Sequence, residues 1–275
     1  MPLTRRKFLT TGVGAALALC LPGWAERALA APRQAITAIF HGRRDVPQVC
    51  LTYDDMWDEA VSLKIAEAFA EKDIKVTFFP AGLAIRANIN TPTAGHENLY
   101  QRIYEMGHEF GCHTYSHIDI TDLTARDLVD SQIQTWIEVM NDALGFEYQP
   151  VALRPPMGIV TNALFDAAYE TDLPIVLWSA DMRDSFCAPD QCEAELSWRF
   201  GVLLKNGEIF LQHTTEGSLA VINQQLELLD EMKLSTVLLS EMLAVLNGEI
   251  EVTPEAVAEV EVTPEVTPGA GESTP

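Results

Sequence analysis

The chain has 275 residues, with 18 Lys and Arg against 40 Asp and Glu, and its formal net charge is −22. Hydrophobic residues make up 48% of the chain, which is the composition of a globular protein, and the length suits one large domain or two modest ones. Because no basic surface is available to neutralise phosphates, this balance argues against nucleic acid as a partner and against binding to anionic membranes.

The first 30 residues have the features of an export signal. Arg5 and Arg6 precede a short apolar run, and an Ala-x-Ala cleavage site ends at Ala30. The paired arginines resemble the twin-arginine type, and an ordinary secretion signal or an uncleaved anchor is the alternative. The apolar run is too short to span a bilayer, so no membrane span is expected after signal removal. The predicted location is periplasmic, cell-wall associated or extracellular.

Residues 249–275 form a repetitive acidic tail. Glu, Val, Thr and Pro dominate this segment, and it contains no Lys, Arg or aromatic residue. Such a composition cannot bury a core and predicts disorder. The folded part is therefore expected to be a single domain, residues 31–248.

Four cysteines lie outside the predicted signal: Cys50, Cys112, Cys187 and Cys192. In an oxidising compartment Cys187 and Cys192, which are close together in a predicted loop, are able to form a disulfide. Reduced and mostly buried thiols are the alternative. The sequence leaves both open.

Short apolar segments alternate with segments of helical periodicity through the folded part. The predicted strands are 48–53, 75–79, 109–113, 152–155, 175–179 and 208–212. The predicted helices are 58–71, 98–106, 125–144, 163–170, 193–204 and 219–232. This alternation predicts a parallel sheet covered by helices, and so many units in one run favour a closed or nearly closed α/β barrel. A glycine-rich phosphate loop is missing, so nucleotide binding is not indicated.

Unusual polar residues follow the carboxyl ends of most of these strands. In a parallel α/β fold those ends share one face, which is where active sites form. The residues are Asp54 and Asp55 after the first strand, His113 and His117 at the third, Arg154 at the fourth, Asp181 and Asp184 after the fifth, and His213 after the sixth.

A metal site is indicated by the spacing of two histidines. His113 and His117 are four residues apart, so both imidazoles are able to reach one ion. An H-x-x-x-H pair is a weak signal by itself, but the paired carboxylates of Asp54 and Asp55 are costly to bury without a cation or a proton. Two histidines and one carboxylate form a familiar open zinc site, and the second carboxylate is then available as a base.

Five segments together resemble the motifs of the polysaccharide deacetylases, the chitooligosaccharide and peptidoglycan deacetylase group of carbohydrate esterase family four. In chain order they are TYDD at 52–55, HTYSH at 113–117, RPP at 154–156, DMRD at 181–184 and LQH at 211–213. The resemblance covers most of the folded part. It implies a distorted or incomplete (β/α) barrel with parallel strands and the metal-dependent removal of acetyl groups from a carbohydrate.

The resemblance also implies a role for each matching residue. Asp55, His113 and His117 are implied as ligands of a divalent metal, with Zn²⁺ favoured and Co²⁺ or Ni²⁺ as alternatives. Asp54 is implied as the general base that takes a proton from the attacking water, and Arg154 as the residue that holds Asp54.

The remaining roles concern the leaving group and the walls of the site. His213 is implied as the general acid, oriented by Asp184, and the main-chain N–H of Met157 as a donor to the oxyanion. Trp57, near the mouth, is placed either to stack on a sugar ring or to cover the barrel edge at the start of a helix.

The sequence departs from the family pattern at three positions. Met56, Met157 and Ser185 stand where Gly, Tyr and Trp are common. None of these changes removes a catalytic group, so they bear on substrate preference more than on catalysis.

The expected function is a metal-dependent hydrolase that removes N-acetyl groups from an N-acetylglucosamine-containing glycan. An O-acetyl esterase of the xylan type or a small-molecule amidase is the first alternative, and a non-catalytic glycan-binding module is the second. The acidic surface favours a neutral glycan or a short oligomer over an anionic polymer. The sequence indicates no oligomeric state.

Overall fold

The computed structural model describes residues 37–187 and 191–250. The predicted export signal and almost all of the predicted acidic tail lie outside these ranges, so both stay predictions. All described residues belong to the second of two units into which the chain divides, 36–275. Among them, no helix has both the length and the apolar character needed to cross a membrane.

A parallel sheet forms the centre of this unit. Its strands are β1 (Gln48–Asp55), β2 (Thr77–Pro80), β3 (Glu109–Phe110), β4 (Ala180–Asp181), β5 (Ile209–His213) and β6 (Ser235–Thr236). The order is β3-β2-β1-β5-β4, β6 pairs with β1, and every pair is parallel. The predicted parallel α/β architecture is confirmed.

The regular sheet does not close. Between the edge strands β3 and β4, isolated parallel bridges join Cys112 to Leu153 and Leu153 to Ile175. The strand predicted at 152–155 is therefore only a bridge, because Pro155 and Pro156 have no N–H group with which to continue a ladder. The result is the distorted, incomplete barrel that the resemblance implied, not a regular closed one.

Helices cover the sheet. They are α1 (Glu59–Ala70), α2 (Gly82–Asn90), α3 (Leu99–Glu105), α4 (Ala125–Asp127), α5 (Thr135–Leu144), α6 (Asn162–Thr171), α7 (Cys192–Leu203), α8 (Glu216–Ala220), α9 (Ile222–Glu231) and α10 (Leu239–Leu246). The sequence predicted neither α2 nor α10. Helix α2 has no side-chain N-cap and begins at a glycine, so its start carries no local signal.

Two predicted helices are not regular. The helix predicted at 125–144 contains a π-helical segment, Leu128–Gln134, between α4 and α5. The helix predicted at 219–232 is divided into α8 and α9 at Val221, whose ψ of 0° departs from helical geometry.

Successive side chains of β1 point to opposite faces of the sheet and pack in two separate cores. Leu51 and Tyr53 pack with the surrounding helices in the larger core cluster. Cys50 points the other way and packs in a smaller cluster with Met242 of α10, which covers the amino-terminal end of the strands. Because side chains alternate along a strand, Asp54 faces the same interior as Cys50 but at the opposite, carboxyl end.

The structure forms a disulfide between Cys187 and Cys192, which resolves the alternatives left open by the sequence. Cys50 and Cys112 are buried free thiols, and burial raises the pKa of both, which keeps them protonated. The disulfide joins the turn that follows Asp184 to the start of α7. A Cβ atom on Gly217 of α8 would lie 2.5 Å from Cys192 Sγ, so the disulfide also packs closely against α8.

Reduction of this disulfide is expected to lower the free energy of unfolding by about 2 kcal/mol. This is the entropic contribution expected when so short a loop is closed in the unfolded chain. Urea unfolding with and without a reductant measures the effect. A variant with serine at both Cys187 and Cys192 serves as the control and should not respond to the reductant. Equal responses of the parent and the variant would contradict the prediction.

Candidate active site

Three side chains predicted as metal ligands converge at the carboxyl end of β1. Asp55, His113 and His117 each offer one ligand atom, and these atoms lie within 4.8 Å of one another. His117 Nε2 lies 3.1 Å from Asp55 Oδ1, and His113 Nε2 lies 3.4 Å from the same oxygen. Asp55 Oδ1 is buried and has no hydrogen-bond partner among the described residues. An orphaned carboxylate oxygen facing two imidazole nitrogens fits a divalent ion of the Zn²⁺ type.

The electrostatics of this cluster agree with a carboxylate that stays ionised. Burial by itself would raise the pKa of Asp55, but His113 and His117 outweigh it and lower the pKa far below its ordinary range. The nearby Asp55 in turn raises the pKa of His117. A divalent cation bound here would supply positive charge beside Asp55, and metal ligation uses the neutral imidazoles.

The turn after β1 has an unusual backbone. Asp55 has φ +76° and Met56 has φ +61°, both in the left-handed region that side chains with a Cβ seldom adopt. The Met56 side chain is buried in the helix-facing core, and Ala81 N–H donates to Asp55 O at 3.0 Å. These contacts hold a conformation that glycine, common here in the family, would adopt more easily.

His113 is oriented by a main-chain carbonyl. Its Nδ1 lies 2.8 Å from Arg154 O, and because a carbonyl oxygen only accepts, Nδ1 carries a proton and Nε2 is the ring atom that faces Asp55. The bridge between Cys112 and Leu153 brings these two segments side by side. The ligand geometry of His113 therefore depends on the same chain segment that supplies Arg154.

Asp54 forms a buried ion pair with Arg154. The guanidinium donates to Asp54 Oδ1 at 2.6 Å and to Thr52 Oγ1 at 2.7 Å, and its Cζ lies 4.0 Å from the centre of the Phe79 ring. Arg154 is fully buried, and Asp54 is 2% exposed. Asp54 Oδ2, which the ion pair leaves available, lies 3.6 Å from His113 Nε2. The pair thus fixes one oxygen and directs the other toward the candidate metal site.

His213 and Asp184 form a second pair across the mouth. Asp54 and His213 are register partners on β1 and β5, so these strands place them side by side. His213 Nδ1 lies 2.8 Å from Asp184 Oδ1, while His213 N–H and Ser218 Oγ donate to Asp184 Oδ2 at 2.6 and 2.5 Å. Sequence reasoning missed Ser218, whose only signal was its position just after the LQH motif.

The pair keeps His213 protonated at neutral pH. Burial lowers the pKa of His213, but the hydrogen bond and charge of Asp184 outweigh it, and with Asp54 and Asp55 they raise the pKa to about 9. The Nδ1 proton is directed to Asp184. His213 can therefore hold a second proton on Nε2 and donate it.

The predicted oxyanion donor lies in a short turn after Arg154. Met157 has φ +56° within the 3-10 turn Pro156–Gly158, and its side chain is 59% exposed. The next N–H groups, of Gly158 and Ile159, donate to carbonyls within the same turn. The Met157 side chain is exposed, and the role of its N–H as an oxyanion donor stays a prediction.

Exposed aromatic side chains follow two of the sequence motifs. Trp57 is 52% exposed, and its ring lies 6.3 Å from that of His117 in an edge-on arrangement. Ser185 is exposed, and the next residue, Phe186, is 88% exposed. Sequence reasoning missed Phe186, which places an aromatic ring one residue beyond the position where the family has Trp.

Two further polar residues have structural partners. Asp181 Oδ1 accepts from Arg183 N–H at 2.8 Å, so it caps a turn. His108 is buried, with Nδ1 accepting from Val76 N–H and Nε2 at 3.0 Å from Ala66 O. It is a packing residue of the interior.

The fold and this cluster define a distorted (β/α) barrel protein with a candidate metal centre at the carboxyl ends of its strands. Residues 41–176 match the family model described as polysaccharide deacetylase. The resemblance to the polysaccharide deacetylases seen in the sequence is therefore confirmed over this segment, which is just under half of the chain.

Relatives and solved structures agree with this assignment. A peptidoglycan-N-acetylglucosamine deacetylase of Bacillus cereus is 31% identical over 180 residues, 65% of this chain and 60% of the relative. The solved structure of the Bc1960 peptidoglycan N-acetylglucosamine deacetylase is 26% identical, with a TM-score of 0.65 over 80% of this chain and 95% of that chain. A CE4 family pseudoenzyme from Bacillus anthracis shares the fold at 21% identity, with a TM-score of 0.67 over 76% of this chain and 70% of that one.

The match to curated relatives is partial in length. The chain spans 51% of an uncharacterized Bacillus subtilis protein, YlxY, and 60% of the Bacillus cereus deacetylase. The similarity therefore leaves the activity and substrate of the whole protein to be proposed from its own site.

Proposed function

We propose that this protein is an exported, metal-dependent deacetylase that removes N-acetyl groups from an N-acetylglucosamine-containing glycan. The observation that carries the proposal is the convergence of Asp55, His113 and His117 beside the Asp54–Arg154 and Asp184–His213 pairs. The names of the relatives, peptidoglycan deacetylases, support both the substrate class and an extracytoplasmic location. The proposed organisation keeps a signal at 1–30, a catalytic domain at 31–248 and an acidic tail at 249–275.

The three proposed ligands suit Zn²⁺, with Co²⁺ or Ni²⁺ as alternatives. When bound, such an ion supplies Lewis-acid activation of water and polarisation of the acetyl carbonyl. The protein's own residues position and move the protons. Because Arg154 holds Asp54 Oδ1, the second oxygen is directed to take a proton from the attacking water.

The leaving group needs a proton of its own. Water adds to the acetyl carbon, the carbon–nitrogen bond breaks, and the sugar nitrogen takes the Nε2 proton of His213. Asp184 stabilises the charged imidazole before this transfer. The Met157 N–H is proposed as a donor to the oxyanion that forms during attack. The products are acetate and a free amine.

The test is acetate release from N-acetylglucosamine oligomers by the mature protein. We expect activity that a chelator abolishes and that Zn²⁺ or Co²⁺ restores. Faster release from acetylated xylan would instead identify an O-acetyl esterase. Calorimetry that shows sugar binding without turnover in metal-loaded protein would identify a glycan-binding module. The last outcome matters because some proteins of this fold are pseudoenzymes, although this chain retains the proposed ligands, base and acid.

The raised pKa of His213 predicts a pH-dependent stability. Its pKa is about 9 in the fold and about 6.5 in an unfolded chain. The stabilisation is therefore complete below about pH 6.5 and is lost as pH rises through about 9. Between about pH 6 and about pH 10, the metal-free parent should lose on the order of 3 kcal/mol more unfolding free energy than His213→Gln. Parallel pH curves for the two proteins would refute this.

A further inference from the structure

The loop from His113 to His117 carries two of the three proposed ligands in an unusual backbone. Thr114 has φ +62° and His117 has φ +52°, so two residues with a Cβ occupy the left-handed region. Such conformations persist only where the surrounding structure holds them. The contacts that hold this loop therefore determine where His117 Nε2 lies.

One side of the loop is held by the start of α2. Gly82 N–H donates to Thr114 O at 3.0 Å, and Leu83 N–H donates to Tyr115 O at 2.8 Å. A Cβ on Gly82 would lie 2.8 Å from Tyr115 Cα, so only glycine permits this approach. Two main-chain hydrogen bonds therefore hold this side up to Tyr115, and Thr114 Oγ1 accepts from His117 N–H at 3.3 Å.

The other side is held by Gln132. Its Oε1 accepts from Ser116 N–H at 3.1 Å and from Ser116 Oγ at 3.0 Å, directly before His117. Gln132 is 5% exposed and lies in the π-helical segment Leu128–Gln134. Trp136 anchors the following helix by donating from Nε1 to Pro80 O at 2.7 Å, beside the mouth. Wide helical turns of this kind are frequent at functional sites.

We propose that Gln132 is a positioning residue for the metal site. By accepting both Ser116 donors it holds the loop so that His117 Nε2 stays within reach of Asp55 Oδ1. The inference rests on the metal centre of the proposed function, and it assigns a role to a residue outside the five motifs. Loss of an outer partner of a metal ligand weakens metal affinity by about 10–100-fold.

The experiment measures the Zn²⁺ dissociation constant by competition with a chromophoric chelator. Gln132→Leu keeps the approximate volume but removes the acceptor, and we expect about 10–100-fold weaker binding. Gln132→Glu keeps an acceptor oxygen and should retain tight binding. Gln134→Leu, at an exposed position of the same segment, is the matched control and should bind like the parent. Thermal unfolding of each variant separates a loss of fold from a loss of metal.

Folded Gln132→Leu that binds Zn²⁺ as tightly as the parent would overturn the inference while leaving the proposed function standing. A parent that binds no Zn²⁺ would overturn both. If Gln132→Leu does not fold, Ser116→Ala removes one of the two hydrogen bonds with less disturbance. It should weaken Zn²⁺ binding several-fold, and an unchanged constant would count against the inference in the same way.

Discussion

Replacement of Asp54 by Asn is expected to lower kcat for acetate release by about 10²–10⁴-fold, the contribution typical of a positioned general base. An amide oxygen still accepts from Arg154, but the side chain no longer takes a proton from water. The loss should therefore appear in kcat with metal bound. The measurement is acetate release at saturating glycan by metal-loaded Asp54→Asn.

The same substitution is expected to lower stability, since Arg154 is fully buried and loses its counter-charge. Removal of one partner of a buried ion pair costs about 3–5 kcal/mol, so the assay is run well below the unfolding temperature of the variant. Asp122→Asn, at an exposed position, is the matched control and should change neither kcat nor the free energy of unfolding. A metal-loaded Asp54→Asn protein with the parent's kcat would exclude Asp54 as the base.

Replacement of His117 by Ala is expected to reduce Zn²⁺ affinity by more than the 10–100-fold typical of outer partners, because a ligand itself is removed. Acetate release should fall by about 10³-fold or more, which corresponds to several kcal/mol of lost charge stabilisation. His117 is only partly buried, so its loss should disturb the core little. Chelator competition and acetate release measure the two effects.

His41→Ala is the matched control for this prediction. His41 is exposed, and its Nδ1 lies 2.7 Å from the neighbouring Gly42 O. Its replacement should change neither Zn²⁺ affinity nor activity. If His117→Ala bound Zn²⁺ like the parent and kept its activity, His117 would not be a ligand.

Much of the site was predictable because its residues lie at strand ends. The apolar run that leads to Asp54 and Asp55 has the length and composition of a buried strand, and parallel strands place their carboxyl ends on one face. The four-residue spacing of His113 and His117 then limits how far apart the two imidazoles can lie. These are local or topological constraints, and a single sequence carries them.

Contacts between distant segments were not predictable in the same way. Gln132 and Ser116 are 16 residues apart, and a glutamine in a helical pattern gives no sign that it holds a ligand loop. The start of α2 was missed because carbonyls of the 113–117 loop, not a capping side chain, satisfy its N–H groups. The bridge at Leu153 was predicted as a strand because apolar residues form short strands and single bridges alike.

The sequence by itself determined the parallel α/β architecture and the set of polar residues that reach its mouth, because side-chain period and strand order follow from local pattern and chain connectivity. Only the tertiary structure decided which atoms meet. Hydrogen bonds join Arg154 to Asp54, Ser218 to Asp184 and Ser116 to Gln132, and a disulfide joins Cys187 to Cys192. Hydrogen bonds and disulfides form only within about 3 Å and with defined directions. The first three pairs join residues 16 or more positions apart, so the packing of the whole barrel fixes them and no local stretch of sequence encodes them.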